Sequence, residues 1–127
     1  AARLAGLPQI DLHLLPGRVR STTQAAVGAD TVTAINRLRV DVAFLGTNGI
    51  SVEHGLSTPD PDEAAVKRAI VGAARQVVCL TDSSKVGTDA SVRFAALDEI
   101  DVIVTDDDLP VGDRVAFEVA GLEVVTA

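Results

Sequence analysis

Four short aliphatic runs, at residues 40–46, 76–81, 101–105 and 122–126, are separated by segments whose apolar side chains recur three or four apart. This alternation constrains the fold more than any other feature. In the segment 23–38, Ala26, Val27, Ala29, Val32, Ala34, Ile35 and Leu38 give the helical period. At 60–75, Asp60-Pro61-Asp62-Glu63 supplies a capping residue, a first-turn proline and two early acids. A third, shorter helix is expected over 111–119. Strands alternating with helical crossovers select an α/β three-layer sandwich with a mostly parallel sheet. Composition agrees: 47% of the 127 residues are hydrophobic but only 2% aromatic, so the core must be built from Ala, Val, Leu and Ile. Such side chains suit a parallel sheet covered by helices. A chain of this length forms one domain and buries roughly two-thirds of its unfolded surface.

Smaller features complete the outline. Ile10, Leu12 and Leu14 alternate within 9–15, the pattern of a strand, and Pro16-Gly17 then turns the chain. The run 40–46 is expected to be buried on both faces. Residues 47–60, with Gly49, Gly55 and Pro59, read as a long loop, a kind of segment that is usually functional. Residues 82–87 form a polar turn, and the acids 106–108 read as the cap of the last helix rather than a cation site.

With 18 acidic against 11 basic residues the net charge is −7, the wrong sign for gripping a nucleic-acid backbone unaided. Cys79, within Val77-Val78-Cys79-Leu80, reads as an inert buried thiol. No apolar run approaches the ~18 residues that would span a bilayer, and no signal-peptide pattern is present. A cytoplasmic setting is expected. Methionine is absent even at position 1, which leads us to expect a piece of a longer polypeptide.

In an open parallel sheet, ligands bind beyond the carboxyl ends of the strands. The segments leaving those ends include Pro16-Gly17-Arg18-Val19-Arg20, Gly46-Thr47-Asn48-Gly49, Thr81-Asp82-Ser83-Ser84-Lys85 and Thr105-Asp106-Asp107-Asp108. Backbone amides with Lys or Arg suit a phosphate, and Asp with Asn suits sugar hydroxyls. Each segment also has a plainer reading. Asn48-Gly49 is a common turn dipeptide, Lys85 is equally at home in a solvated turn, and Arg20 fits surface charge as well as phosphate. His13 and His54 lack the paired spacing of metal ligands, so neither a metal nor a cofactor is expected. No phosphate-loop, dinucleotide or Gly-x-Ser-x-Gly motif occurs.

Five segments in order and spacing carry a family resemblance. They are Val40-Asp41-Val42-Ala43-Phe44-Leu45-Gly46-Thr47-Asn48-Gly49-Ile50-Ser51, Gly55-Leu56-Ser57-Thr58-Pro59, Glu63-Ala64-Ala65-Val66-Lys67-Arg68, Leu80-Thr81-Asp82-Ser83-Ser84-Lys85 and Val102-Ile103-Val104-Thr105-Asp106. Together they closely resemble the C-terminal sensor domain of DeoR-type transcriptional repressors, over essentially the whole chain. The resemblance implies the fold shared with ribose-5-phosphate isomerase and CoA transferases. It also implies a bacterial regulator of sugar metabolism that leaves its operator when a phosphorylated sugar binds. Residues 1–127 would then be the effector-sensing domain, lacking the helix-turn-helix that touches DNA and the first part of the sensor. The expected effector contacts are Arg20, Gly46, Thr47, Asn48, Gly49, Lys67, Asp82 and Lys85, in a homo-oligomer with no membrane partner.

The same resemblance argues against an enzyme. Lys67 stands where ribose-5-phosphate isomerases carry a catalytic glutamate, and Leu45-Gly46-Thr47-Asn48 falls on their Asp-Gly-Ala-Asp loop. Moving a proton between sugar carbons needs a carboxylate base, whereas a lysine of ordinary pKa near 10.4 stays protonated. The alternatives are an isomerase-like enzyme working with Asp41, Asp82 and Glu53, or an oligomerisation module with a vestigial pocket.

Overall fold

Runs of β-branched residues pair where adjacent strands can satisfy their backbone groups, and here they do so in a single direction. The computed structural model describes residues 2–127. A short helix α1 (Ala2–Ala5) and a two-stranded hairpin, β1 (Arg18–Val19) with β2 (Ala26–Val27), precede α2 (Ala29–Asn36). Next come β3 (Val40–Leu45), β4 (Gly49–Ser51), β5 (Gly55–Thr58), α3 (Pro61–Ala73) and β6 (Ala74–Leu80). The chain ends with β7 (Val92–Ala95), β8 (Val102–Thr105), α4 (Val111–Val119) and β9 (Glu123–Thr126).

The main sheet has the order β3-β6-β8-β9 and is parallel throughout, while β4, β5 and β7 form a separate antiparallel sheet. The architecture is therefore α/β with a parallel sheet and helical crossovers, consistent with a three-layer sandwich. Register explains which side chains form the core. Leu45, Cys79, Ile103 and Val124 lie in one row across the four strands. That row packs with Ala64 and Val71 of α3, Phe117 of α4, and Leu56 and Phe94 of the small sheet. Burying a side chain such as Phe117 contributes about 2–3 kcal/mol. A second cluster, Val27, Ile35, Val66 and Ala73, joins α2 and β2 to α3.

The alternate row behaves differently. Phe44, Val78, Val102 and Glu123 share it, and Phe44 is 65% exposed. Leu80, in the next row of that face, is 47% exposed. The expectation that 40–46 is buried on both faces is thus corrected: only Ala43 and Leu45 of β3 are buried, because the helices pack on their side. Other boundaries also differ. Residues 9–15 form no strand despite their alternation, since no neighbouring strand pairs with them and they remain largely exposed. The helix expected over 23–38 begins only at Ala29, because Gln24 (φ 58) and Gly28 (φ 115) bend the chain into the β1–β2 hairpin first.

The loop 47–60 is in fact the β4–β5 hairpin, and β7 had no counterpart in the sequence pattern. The two later helices occur where expected, although α3 ends at Ala73 because Ala74 and Arg75 already belong to β6. Asp60 caps α3 by accepting the Glu63 N–H at 2.9 Å, and α4 covers 111–119. The acids at 106–108 do not cap α4, whose N-cap is Pro110. Asp106 instead accepts the backbone N–H groups of Ser83 at 2.8 Å and Asp108 at 2.9 Å, tying β8 to the turn after β6.

Arg68 of α3 grips the segment after β7 with both guanidinium arms, at 2.7 and 2.5 Å from the Glu99 carboxylate, and donates to the Phe94 carbonyl at 3.1 Å. This hydrogen-bonded pairing holds the Glu99 carboxyl at about 2, well below its ordinary value. A carboxylate with a depressed folded pKa stabilises the fold above its unfolded pKa and loses that contribution as pH falls through the folded one. Glu99→Gln should therefore lower stability by about 1 kcal/mol at neutral pH, with allowance for solvent screening of a half-exposed pair. Urea melts should show the gap to wild type closing between about pH 4.5 and pH 2.

Candidate functional site

Because β3 and β6 are adjacent and parallel, the chain leaves both on the same edge of the sheet. The turn after β3 is held by the small sheet. The Thr47 hydroxyl donates to the Gly49 carbonyl at 2.7 Å, and the Asn48 N–H donates to the Ser57 carbonyl at 3.1 Å. The Thr58 hydroxyl donates to Asn48 Oδ1 at 2.8 Å. These bonds fix the Asn48 side chain through its oxygen, and its NH2 group still has donors to offer a ligand.

After β6, Asp82 caps the short helical turn Ser83–Lys85 by accepting the Ser84 N–H at 3.0 Å and the Ser84 hydroxyl. Lys85 is half-buried and forms no ion pair among the described residues. The two segments touch through their backbones. Ile50 forms a bridge with Val86, and the Gly87 N–H donates to the Ile50 carbonyl at 2.8 Å. Gly49 lies so near the Thr88 carbonyl that a Cβ there would overlap it. The Asn48 turn and Lys85 thus belong to one edge.

Lys67 enters the same corner from α3. Its Nζ donates to the Gly46 carbonyl at 2.8 Å and sits 5.3 Å from the centre of the Phe94 ring. Burial pushes the Lys67 pKa down, while the charge of Glu63 acts the other way. Burial also raises the Cys79 thiol to about 12, against the pull of Lys67, so the thiol stays protonated and inert at neutral pH. At the end of β8, the buried Thr105 hydroxyl has no hydrogen-bond partner among the described residues. It borders an open depression shared with Thr81, Asp82 and Asp106.

Arg20 lies elsewhere than a free phosphate ligand would. Its Nη1 is 2.7 Å from Glu63 and 3.6 Å from Asp60, so two carboxylates engage it. The sequence reading placed Thr105 in a segment leaving a strand end but missed Glu63, Ser57 and Thr58 as site residues. Only Glu63 left a signal, its position one helical turn before Lys67. The acids proposed for an isomerase are dispersed. Asp41 is near the start of β3, Asp82 follows the end of β6, and Glu53 occupies the β4–β5 turn. Ser51, His54 and Asp89 do come together, but Ser51 donates directly to Asp89 at 2.5 Å and the His54 ring faces the Ala90 carbonyl. No relay from histidine to serine exists there. Among the described residues, no three His, Cys, Asp or Glu side chains converge as metal ligands, and no helix is long and apolar enough to cross a membrane.

The profile described as the DeoR C terminal sensor domain matches residues 1–107. The chain belongs to that family. Relatives of this DeoR-type domain include the HTH-type transcriptional regulator GlpR of Haloferax volcanii, 42% identical over 115 residues that make up 91% of this chain and 45% of the relative. The HTH-type transcriptional repressor GlcR of Bacillus subtilis is 34% identical, with 76% of this chain and 37% of the relative covered. The glycerol-3-phosphate regulon repressor of Escherichia coli is 34% identical, with 77% and 39% covered. The chain spans less than half the length of these relatives. In the DeoR-type domain the close approach at Gly49 couples the two loops, so Gly49→Ala should force them apart. We expect a loss of about 1–3 kcal/mol, as for other overpacked sites. Amide exchange should quicken at Gly87, whose partner is Ile50, while exchange in β8 stays slow.

Proposed function

We propose that this chain is the effector-sensing part of a DeoR-type repressor of sugar metabolism, and that its effector is a phosphorylated sugar bound where β3 and β6 end. The observation that carries the reading is the meeting of Lys67, Lys85 and the Asn48 turn on one edge of the sheet. Lys85 and Lys67 supply charge for the phosphate, Lys67 from its place beside the Gly46 carbonyl. The Asn48 amide and Asp82 suit sugar hydroxyls. Lys67 stands where proton transfer between sugar carbons would need a carboxylate, and it is engaged with the Gly46 carbonyl and the Phe94 ring, which favours binding over proton transfer. The names of the Escherichia coli and Bacillus subtilis relatives, one citing glycerol 3-phosphate and both citing repression, support the same class of ligand and role.

In this reading the domain works inside a longer, oligomeric cytoplasmic chain, whose DNA-binding part leaves the operator when the effector binds. A ligand moves such a balance only through its unequal affinity for the two states. A hundredfold shift corresponds to about 2.7 kcal/mol, within reach of two charge-assisted hydrogen bonds.

Thermal melts of the 127-residue protein with glycerol 3-phosphate, fructose 1-phosphate and glucose 6-phosphate test the reading. A true effector at about 100 times its dissociation constant should add about 2.7 kcal/mol of stability, and Lys85→Ala should weaken binding at least about tenfold. No shift with any phosphorylated sugar, or unchanged affinity in Lys85→Ala, would count decisively against it.

A further inference from the structure

Glu63 is the buried carboxylate nearest the corner assigned above to the effector, and neither its burial nor its partner is explained by binding a sugar. It precedes Lys67 by one helical turn of α3, a spacing that puts the two side chains on the same face with Cβ atoms about 5–6 Å apart. Both also line a cavity of about 210 Å³ beside the β1–β2 hairpin, together with Leu15, Ala25, Ala26 and Val27. An anion approaching Lys67 would meet the Glu63 charge across poorly solvated protein, where like charges repel strongly. The groups facing Glu63 are Arg20 from the hairpin, Asp60 from the cap of α3, and Lys67. Arg18 reaches only the exposed Asp62, at 3.3 Å, and Lys67 is engaged by Gly46. Arg20, at 2.7 Å from Glu63, is therefore the cation placed to offset that carboxylate.

We propose that Arg20 is a positioning residue for an anionic effector and acts through Glu63, holding and offsetting its carboxylate so that a doubly charged phosphate can settle at the corner of Lys67 and Gly46. The proposal rests on the sensor reading above and adds a determinant of ligand charge. Glu63 penalises negative charge, Arg20 relieves that penalty, and the balance sets how strongly a dianion is preferred over a monoanion of the same shape. The pair joins residues 43 apart in sequence, so the hairpin must be seated on α3 for the corner to accept the dianion.

The test compares methyl phosphate, a dianion at pH 8, with methyl sulfate, a monoanion of nearly the same shape. Each is titrated into the 127-residue protein, with amide chemical shifts of Gly46 to Gly49 as the readout. Arg20→Ala should weaken methyl phosphate about tenfold but methyl sulfate only about threefold, and Glu63→Gln should tighten methyl phosphate about threefold or more. The double variant should return to within about threefold of wild type, and Arg20→Lys should keep most of the preference. A merely structural role would weaken both probes alike and leave their ratio unchanged. Should Arg20→Ala fail to fold, Glu63→Gln and Arg20→Lys carry the comparison. An unchanged ratio in folded Arg20→Ala or in Glu63→Gln, or weaker phosphate binding in Glu63→Gln, overturns the proposal and leaves the sensor reading standing. If wild type binds neither methyl phosphate nor any phosphorylated sugar, both fall together.

Discussion

Everything at the proposed binding edge depends on the parallel pairing of β3 with β6. A parallel ladder needs a crossover, and α3 provides it, returning the chain to the start of β6 as soon as the helix ends at Ala73. The register from Val40 opposite Ala74 to Leu45 opposite Cys79 then delivers both strand ends to the same level. Two polar segments 33 to 39 residues apart, the Gly46 turn and the Lys85 turn, become neighbours without any attraction of their own. Their mutual hydrogen bonds refine a meeting that the sheet has already arranged.

The parts of this arrangement legible in the sequence were those with a local cause. The helix 111–119 and the start of α3 follow from periodicity and from a capping aspartate beside a first-turn proline, and the four core strands follow from their aliphatic runs. What escaped notice depends on partners far along the chain. The β4–β5 hairpin looked like a loop because its strands are short and polar, and they become strands only by pairing with each other and with β7. Residues 9–15 show the converse, since a strand pattern without a neighbour to satisfy its backbone stays irregular. At the site, Gly46 to Gly49, Lys67, Asp82 and Lys85 were readable as types suited to a phosphorylated ligand. The role of Arg20 was not, because only the folded chain shows that Glu63 and Asp60 face it.

Charge in this acidic domain is unevenly distributed. Most arginines in ion pairs secure structure: Arg68 ties α3 to the turn after β7, and Arg18 and Arg20 fasten the hairpin to the first turn of α3. The two lysines are used differently. Lys67 meets a carbonyl and an aromatic face instead of a carboxylate, and the Lys85 side chain forms no ion pair among the described residues, although its backbone N–H donates to the Asp82 carbonyl. In a protein of net charge −7, both lysines lie near the edge where β3 and β6 end, beside the carboxylates of Asp82 and Asp106, so capture of a small anion there would rest on these two cations and not on the field of the whole domain.

Cys79 sits in the middle of the core row with its thiol fully protonated. Alkylating reagents in the surrounding solution find no thiolate to attack until β6 parts from its neighbours. The domain therefore carries a natural clock for its own opening: the rate at which one sulfur becomes chemically reactive reports how often the central strand lets go.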